Sequence, residues 1–204
     1  MQMSNFSTHD VFRHLAGAEL PEWPAFEQSV RERRLKPHAA LFLAGEHKPS
    51  IFVVNAGVIK MVYETASGDA WVKGFAEAGV LFASLSALGD DGLTSFSAYA
   101  ETQSCIHEID YSVLQHLADR HIAWQRAVAN ALKFYGQRKE RREMELLTLT
   151  PEDRYLRFLN DYPSLVAVLR QRDIASYIRV TPVALSRIKS RLNQRSGKSA
   201  GGIP

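Results

Sequence analysis

The sequence is poor in the residues that metal and redox sites are built from. A single cysteine, Cys105, stands among 204 residues, which excludes an internal disulfide and the roughly four thiolates of an iron–sulfur cluster. The seven histidines show no HxH, HxxH or HExxH spacing, so no mononuclear metal site is expected. A haem held by one histidine would leave no motif; no cofactor is expected. Gly-rich phosphate loops and GxSxG are absent, so enzymatic activity has no support. No arginine occurs between Arg34 and Arg120. There is no apolar run of about 18 residues, hence no membrane span. The first residues lack the basic and apolar regions of a signal peptide. A cytoplasmic, non-membrane protein is the expectation.

What is present is a division of charge. Residues 138–204 carry 14 Lys+Arg against 7 Asp+Glu, a net of +7, whereas residues 1–137 carry 11 against 15, a net of −4. A basic C-terminal third points to a polyanion there, or to a solvated basic face. With 46% hydrophobic residues, the chain can bury one large core or two smaller ones.

Two helical signals open the chain, around Val11, Phe12 and Leu15 and around Phe26, Val30 and the run Arg31–Arg34, with Pro21 and Pro24 between them. From Leu35 to Ile109 short apolar or alternating runs follow: Ala39–Leu43, Ser50–Asn55, Gly57–Tyr63, Ala70–Phe75, Val80–Phe82, Ser95–Ala100 and Cys105–Ile109. They recur at about ten-residue spacing between Gly, Asn and Asp turns, the pattern of an antiparallel sandwich or barrel. Within CIHEI, alternation makes Cys105 a core strand residue. A long helical stretch follows over 111–147, with Asp110 as N-cap. Trp124, Val128, Ala131, Leu132 and Tyr135 share one stripe, which packs either on a second copy or on the chain's own sandwich.

Beyond Thr150-Pro151, PEDRYLRFL reads as an amphipathic helix with Tyr155, Leu156, Phe158 and Leu159 inward and Arg154 and Arg157 outward. Leu165–Leu169 is a short apolar helix or strand. Gln171–Leu192 reads as two short helices: Ile174, Tyr177 and Ile178 mark one face of the first, and Val183, Leu185, Ile188 and Leu192 the second. Thr181-Pro182 is the start signal of the second helix. Periodicity alone allows an αα-hairpin or a helix-turn-helix. The tail, Asn193–Pro204, has the Gly, Ser and Lys content of a disordered segment.

ASYIRVTPVALSRIKSRL resembles the recognition segment of the Crp/Fnr family of bacterial transcription regulators. LFLAGE, VVNAGVIKMVYETASGDAWVKGF and VLFASLSAL resemble successive strands of its effector domain, and the likeness covers almost the whole chain. It implies an α+β fold: an N-terminal antiparallel β-sandwich or jelly roll of the cyclic-nucleotide-binding type over 1–110, a dimerisation helix over 111–148 bearing Trp124, Val128, Ala131, Leu132 and Tyr135, and a C-terminal winged helix-turn-helix over 149–204. It further implies a homodimer on a palindromic double-stranded DNA operator, with RNA polymerase and a small-molecule effector as other partners. The DNA-binding residues carried over are Arg172, Thr181, Pro182, Val183, Ser186, Arg187, Lys189 and Arg191. Two departures stand out. Arg179 replaces a frequent turn glycine, and Pro182-Val183 replaces the Arg-Glu pair with which cyclic-AMP-dependent members read bases. Arg187 can still pair with guanine, whereas Val183 can touch only a thymine methyl.

The effector pocket carried over is Phe82, Ala83, Ser84, Leu85, Phe96 and Ser97. The family's phosphate cassette has Gly-Glu at its start and Arg-Ser/Thr-Ala near its end. This chain has Ala83-Ser84-Leu85 and Ser95-Phe96-Ser97-Ala98 instead. A buried phosphate without a cation loses its strongest bonds, so a response to cyclic AMP is not expected. An apolar effector, or a constitutive DNA binder with no effector, takes its place. A dimeric sensing or protein-interaction module with a vestigial helix-turn-helix is the remaining alternative.

Overall fold

The computed structural model describes residues 7–65 and 68–199, with side chains through Arg195. The chain divides into two compact units, Met1–Arg138 and Lys139–Pro204.

The first unit opens with α1 (Thr8–Ala16) and α2 (Trp23–Ser29). Ser7 caps α1, its hydroxyl accepting from the His9 and Asp10 amides, and Gly17 ends it in a left-handed turn. Among the described residues eight strands follow: β1 (Arg31–Leu35), β2 (Ala40–Phe42), β3 (Ser50–Ala56), β4 (Val58–Glu64), β5 (Ala70–Glu77), β6 (Leu81–Ala83), β7 (Ser97–Ala100) and β8 (Ser104–Asp110). They form two four-stranded antiparallel sheets, ordered β1-β8-β3-β6 and β2-β7-β4-β5. Phe42, Phe52, Phe82 and Phe96 fill the space between the sheets, with Ile59 and Ile106. β3 is apolar in succession because it is buried on both faces. Ile51 and Val53 turn to the outer face, where with Ile109 they meet Phe12, Phe26 and Trp124 from the helices. The turn between β3 and β4 requires glycine. A Cβ on Gly57, at φ 89°, would lie 2.6 Å from the Gln103 carbonyl oxygen.

The expected helix across residues 26–34 ends early. α2 stops at Ser29, and Arg31–Leu35 is an edge strand pairing with β8. The charged run is compatible with an edge because Arg31 and Arg33 reach a buried carboxylate, Glu108, at 3.5 and 2.9 Å. Lys48 lies on the same carboxylate at 2.8 Å.

α3 (Tyr111–Arg120) is capped by Asp110, and α4 (Ile122–Thr148) begins in the first unit and ends in the second. The segment 111–148 is therefore two helices, and the division into compact units falls within the second of them.

The second unit contains α5 (Pro151–Asp161), α6 (Gln171–Tyr177) and α7 (Pro182–Ser199) after the end of α4. Thr150 caps α5 through the Asp153 amide. Phe158, Leu165, Ile174, Tyr177, Leu185 and Ile188 are buried. Leu156 points outward, and Arg154 instead turns partly inward, donating to the Ile178 and Leu149 carbonyls at 2.9 and 2.7 Å. Leu165–Leu169 is a set of turns rather than a helix or strand. Two expectations need correction. Among the described residues the second unit has no strand, so no wing is seen. The tail is also not disordered from Asn193, since α7 continues through Ser199, with Arg191 and Arg195 both drawn to Glu152 at 3.5 and 2.6 Å. Residues 200–204 of the tail lie outside the described residues. Among the described residues no helix is long and apolar enough to cross a membrane.

Candidate DNA interface and effector site

α6 and α7 meet through a four-residue turn, residues 178–181. The Arg179 amide donates to the Ser176 carbonyl at 3.2 Å, and Val180 to Ala175 at 2.9 Å. Arg179 takes φ 62°, left-handed backbone that a glycine would adopt without cost. Thr181 caps α7, its hydroxyl accepting from the Ala184 amide at 3.1 Å, and Pro182 fills the first helical position. Behind the turn, the Arg142 guanidinium lies 4.0 Å from the centre of the Tyr177 ring and donates to the Tyr177 carbonyl. Burial, with the charge of Arg142 next, holds the Arg154 pKa below its usual value.

Leu185 and Ile188 face inward. Thr181, Pro182, Val183, Ser186 and Arg187 are consequently on the outer face of α7, with Arg172 exposed on α6. Val183 is 62% exposed, an apolar tip on a polar surface. The cations divide into two kinds. Lys189 donates to Gln171 at 2.9 Å and Arg191 pairs with Glu152, whereas Arg187 makes no hydrogen bond or ion pair among the described residues. A guanidinium left uncommitted on the outer face is the group a guanine edge or a phosphate would engage.

Of the six residues carried over as an effector pocket, Phe82, Ala83 and Leu85 border the apolar groove that also runs along α4, whereas Ser84, Phe96 and Ser97 do not. Phe82 and Phe96 are core residues between the sheets. Ser84 is buried and exchanges hydrogen bonds with the Ser86 and Ser95 hydroxyls, Ala83 is half-buried, and Leu85 is 39% exposed. Ser97 donates to Glu64 at 2.6 Å, and the Tyr99 hydroxyl donates to the same carboxylate at 3.1 Å. Lys60 is taken by Glu101 at 2.7 Å, and the Lys73 ammonium lies 4.5 Å from the centre of the Phe96 ring. Glu64 therefore places a carboxylate against the Ser97 and Tyr99 hydroxyls.

The stripe on α4 also divides. Trp124 is fully buried within the first unit, its ring 4.6 Å from Phe26 and its indole N–H donating to the Pro21 carbonyl at 2.8 Å. It serves its own sandwich and is not free to meet a second copy. Val128 and Ala131 are half-buried against the same cluster, whereas Leu132 and Phe134 are 50% and 48% exposed. An apolar groove of about 810 Å³ runs along this face, bounded by Val11, Leu81, Leu88, Val128, Leu132 and Tyr135.

One cluster escaped the sequence reading. Glu32, Cys105 and His107 come together on the outer face of β1 and β8, their ligand atoms all within 4.8 Å of one another. The signal was Cys105-x-His107, a spacing that places both side chains on one face of a strand, with the third member supplied by an edge strand read as helix.

Residues 32–121 match the family model of the cyclic nucleotide-binding domain. The fold, an antiparallel sandwich followed by a long helix and a helix-turn-helix pair, is similar to that of solved Crp/Fnr-type regulators. Among solved structures, FixK2 from Bradyrhizobium japonicum superposes with a TM-score of 0.71 at 18% identity, over 82% of this chain and 86% of that one. The c-di-GMP-responsive global regulator CLP of Xanthomonas campestris gives 0.67 at 17% identity, over 85% and 91%. The catabolite activator protein of Thermus thermophilus gives 0.55 at 18% identity, over 91% and 88%. No curated protein matches the sequence.

Proposed function

We propose that this chain is a cytoplasmic, homodimeric DNA-binding transcription regulator whose sandwich does not respond to cyclic AMP. The observation that carries the DNA-binding reading is the outer face of α7, where Arg187 stands uncommitted beside Ser186 and Val183 while the neighbouring cations are held. Arg187 reads a guanine by a bidentate pair, Val183 touches a thymine methyl, and Arg172, Thr181, Lys189 and Arg191 serve the phosphates, with Lys189 and Arg191 released from their intramolecular partners by DNA. Pro182 sets the start of the helix rather than reading a base. The apolar face of α4 around Leu132 and Phe134 receives its twin from a second copy, so that two recognition helices address a palindromic operator. RNA polymerase would be met by the bound dimer.

The effector reading rests on Glu64. An anionic ligand placed against Ser97 and Tyr99 would displace a carboxylate from two hydroxyl donors and gain no arginine in return. This favours an uncharged or apolar effector, or constitutive DNA binding.

The test is fluorescence anisotropy on a library-selected operator across a salt series, with and without cyclic AMP. Arg187→Ala should weaken binding about tenfold and relax preference at one base pair. Equal affinity and preference in the variant would refute the groove assignment. Tightening of the wild type by cyclic AMP would refute the effector reading.

A further inference from the structure

We propose that Glu32, Cys105 and His107 form a binding site for a divalent transition-metal ion of the zinc type, on the outer face of the first sheet and unrelated to the cyclic-nucleotide cassette. The ladder builds it. Glu32 pairs directly with His107, and Arg34 with Cys105, in the β1–β8 register, so all four side chains rise from one face. Thiolate, imidazole and carboxylate are the three donor types zinc accepts, and three protein ligands leave a fourth position for water.

The surroundings orient each donor. The Thr8 hydroxyl, at the start of α1, lies 2.7 Å from His107 Nδ1 and receives the Asn55 amide at 3.3 Å. Engaging Nδ1 turns Nε2 outward, where it stands 3.9 Å from Glu32 Oε2. A ligating histidine donates its other ring N–H to an acceptor that fixes the ring, and the Thr8 hydroxyl is placed to accept it here. Arg34 holds the other carboxylate oxygen, Oε1, at 2.6 Å, leaving Oε2 for the site. Metal binding displaces the Cys105 thiol proton to solvent, and the dication is balanced by one thiolate and one carboxylate. Ligand atoms of a tetrahedral site lie about 3.2–3.6 Å apart for metal–ligand bonds of about 2.0–2.3 Å, so the site must contract by about 1 Å. Glu32 is exposed and on an edge strand, and can make that movement. An ion there would tie β1 to β8 and, through Thr8, to the start of α1.

The test is anaerobic titration of the reduced, tag-free full chain with cobalt(II), followed by displacement with zinc. One equivalent should bind per chain, with a thiolate-to-cobalt charge-transfer band and the visible bands of a tetrahedral ion. Cys105→Ser should abolish the charge-transfer band. His107→Gln and Glu32→Gln should each weaken binding at least tenfold, and Thr8→Val about tenfold. No stoichiometric binding would overturn the proposal. A charge-transfer band of unchanged strength and affinity in both His107→Gln and Glu32→Gln would also overturn it, since the metal would then sit on Cys105 alone. Should Cys105→Ser fail to fold, the histidine, glutamate and threonine variants decide the matter.

Discussion

Arg179 is the place where the recognition turn works against its own backbone, and replacing it with glycine should stabilise the second unit. A non-glycine residue in left-handed backbone costs about 1–2 kcal/mol. Glycine removes that cost but adds about 0.5–1 kcal/mol of unfolded-state entropy. The net expected for Arg179→Gly is a gain of about 0.5–1 kcal/mol, equivalent to a rise of about 2–8 °C in the melting of a unit this size. Arg179→Ala is the decisive control, because alanine keeps the β-carbon and therefore the strain. Calorimetry of the full chain reads the transition. The tryptophans Trp23, Trp71 and Trp124 all lie in the first unit, so tryptophan fluorescence reports whether that unit is unchanged. If alanine stabilised as much as glycine, the gain would come from losing the side chain, and the backbone argument would be refuted. A loss of stability with glycine would refute it outright.

Other expectations follow from single contacts. Glu108→Gln leaves Arg31, Arg33 and Lys48 converging on a neutral amide in a buried place, and should cost about 3 kcal/mol by denaturant titration. Burial pushes the Glu108 pKa up, but the Lys48 hydrogen bond and the charges of Lys48, Arg33 and Arg31 outweigh it, so the folded-state pKa lies below the usual 4.5. The stabilisation it provides is therefore complete above that usual value and lost as pH falls through the lower one; an acid unfolding profile as steep in Glu108→Gln as in wild type would contradict this. Gly57→Ala should cost about 3 kcal/mol from backbone strain and collision with Ser104 and Gln103, and a variant melting like wild type would show that the turn relaxes. Leu132→Glu should shift sedimentation from dimer to monomer without loss of helix, whereas Trp124→Ala should destabilise the first unit by about 3–5 kcal/mol; the reverse pattern would mean that Trp124 and not Leu132 faces the second copy.

How far the residues announced these arrangements depended on what each signal measures. The sandwich strands were legible because their apolar residues recur with turn residues at regular intervals, and burial on both faces made β3 stand out. β1 was not legible, since Arg31-Glu32-Arg33-Arg34 has no apolar alternation and its partner Glu108 is distant in sequence. The same gap hid the Glu32, Cys105 and His107 cluster, which exists only once β1 pairs with β8. On α4 a helical wheel could gather Trp124 with Leu132 but could not tell which neighbour each meets. The α6–α7 turn was legible because Thr181-Pro182 is a local signal that needs no tertiary contact. Around Ser97 the missing arginine could be counted from the sequence, but the carboxylate of Glu64 on its hydroxyl could not be foreseen.

The exposed tip at Val183 has a consequence for what an operator means to this chain. An isopropyl group cannot sense hydrogen-bond donors, and at a pyrimidine it meets only the presence or absence of a methyl at C5. To such a tip a cytosine methylated at C5 is a thymine, and a uracil is not. On the proposed docking of Val183 against a base, the protein would read a chemical mark there rather than a letter, and the methylation state of the DNA would become part of the sequence it recognises.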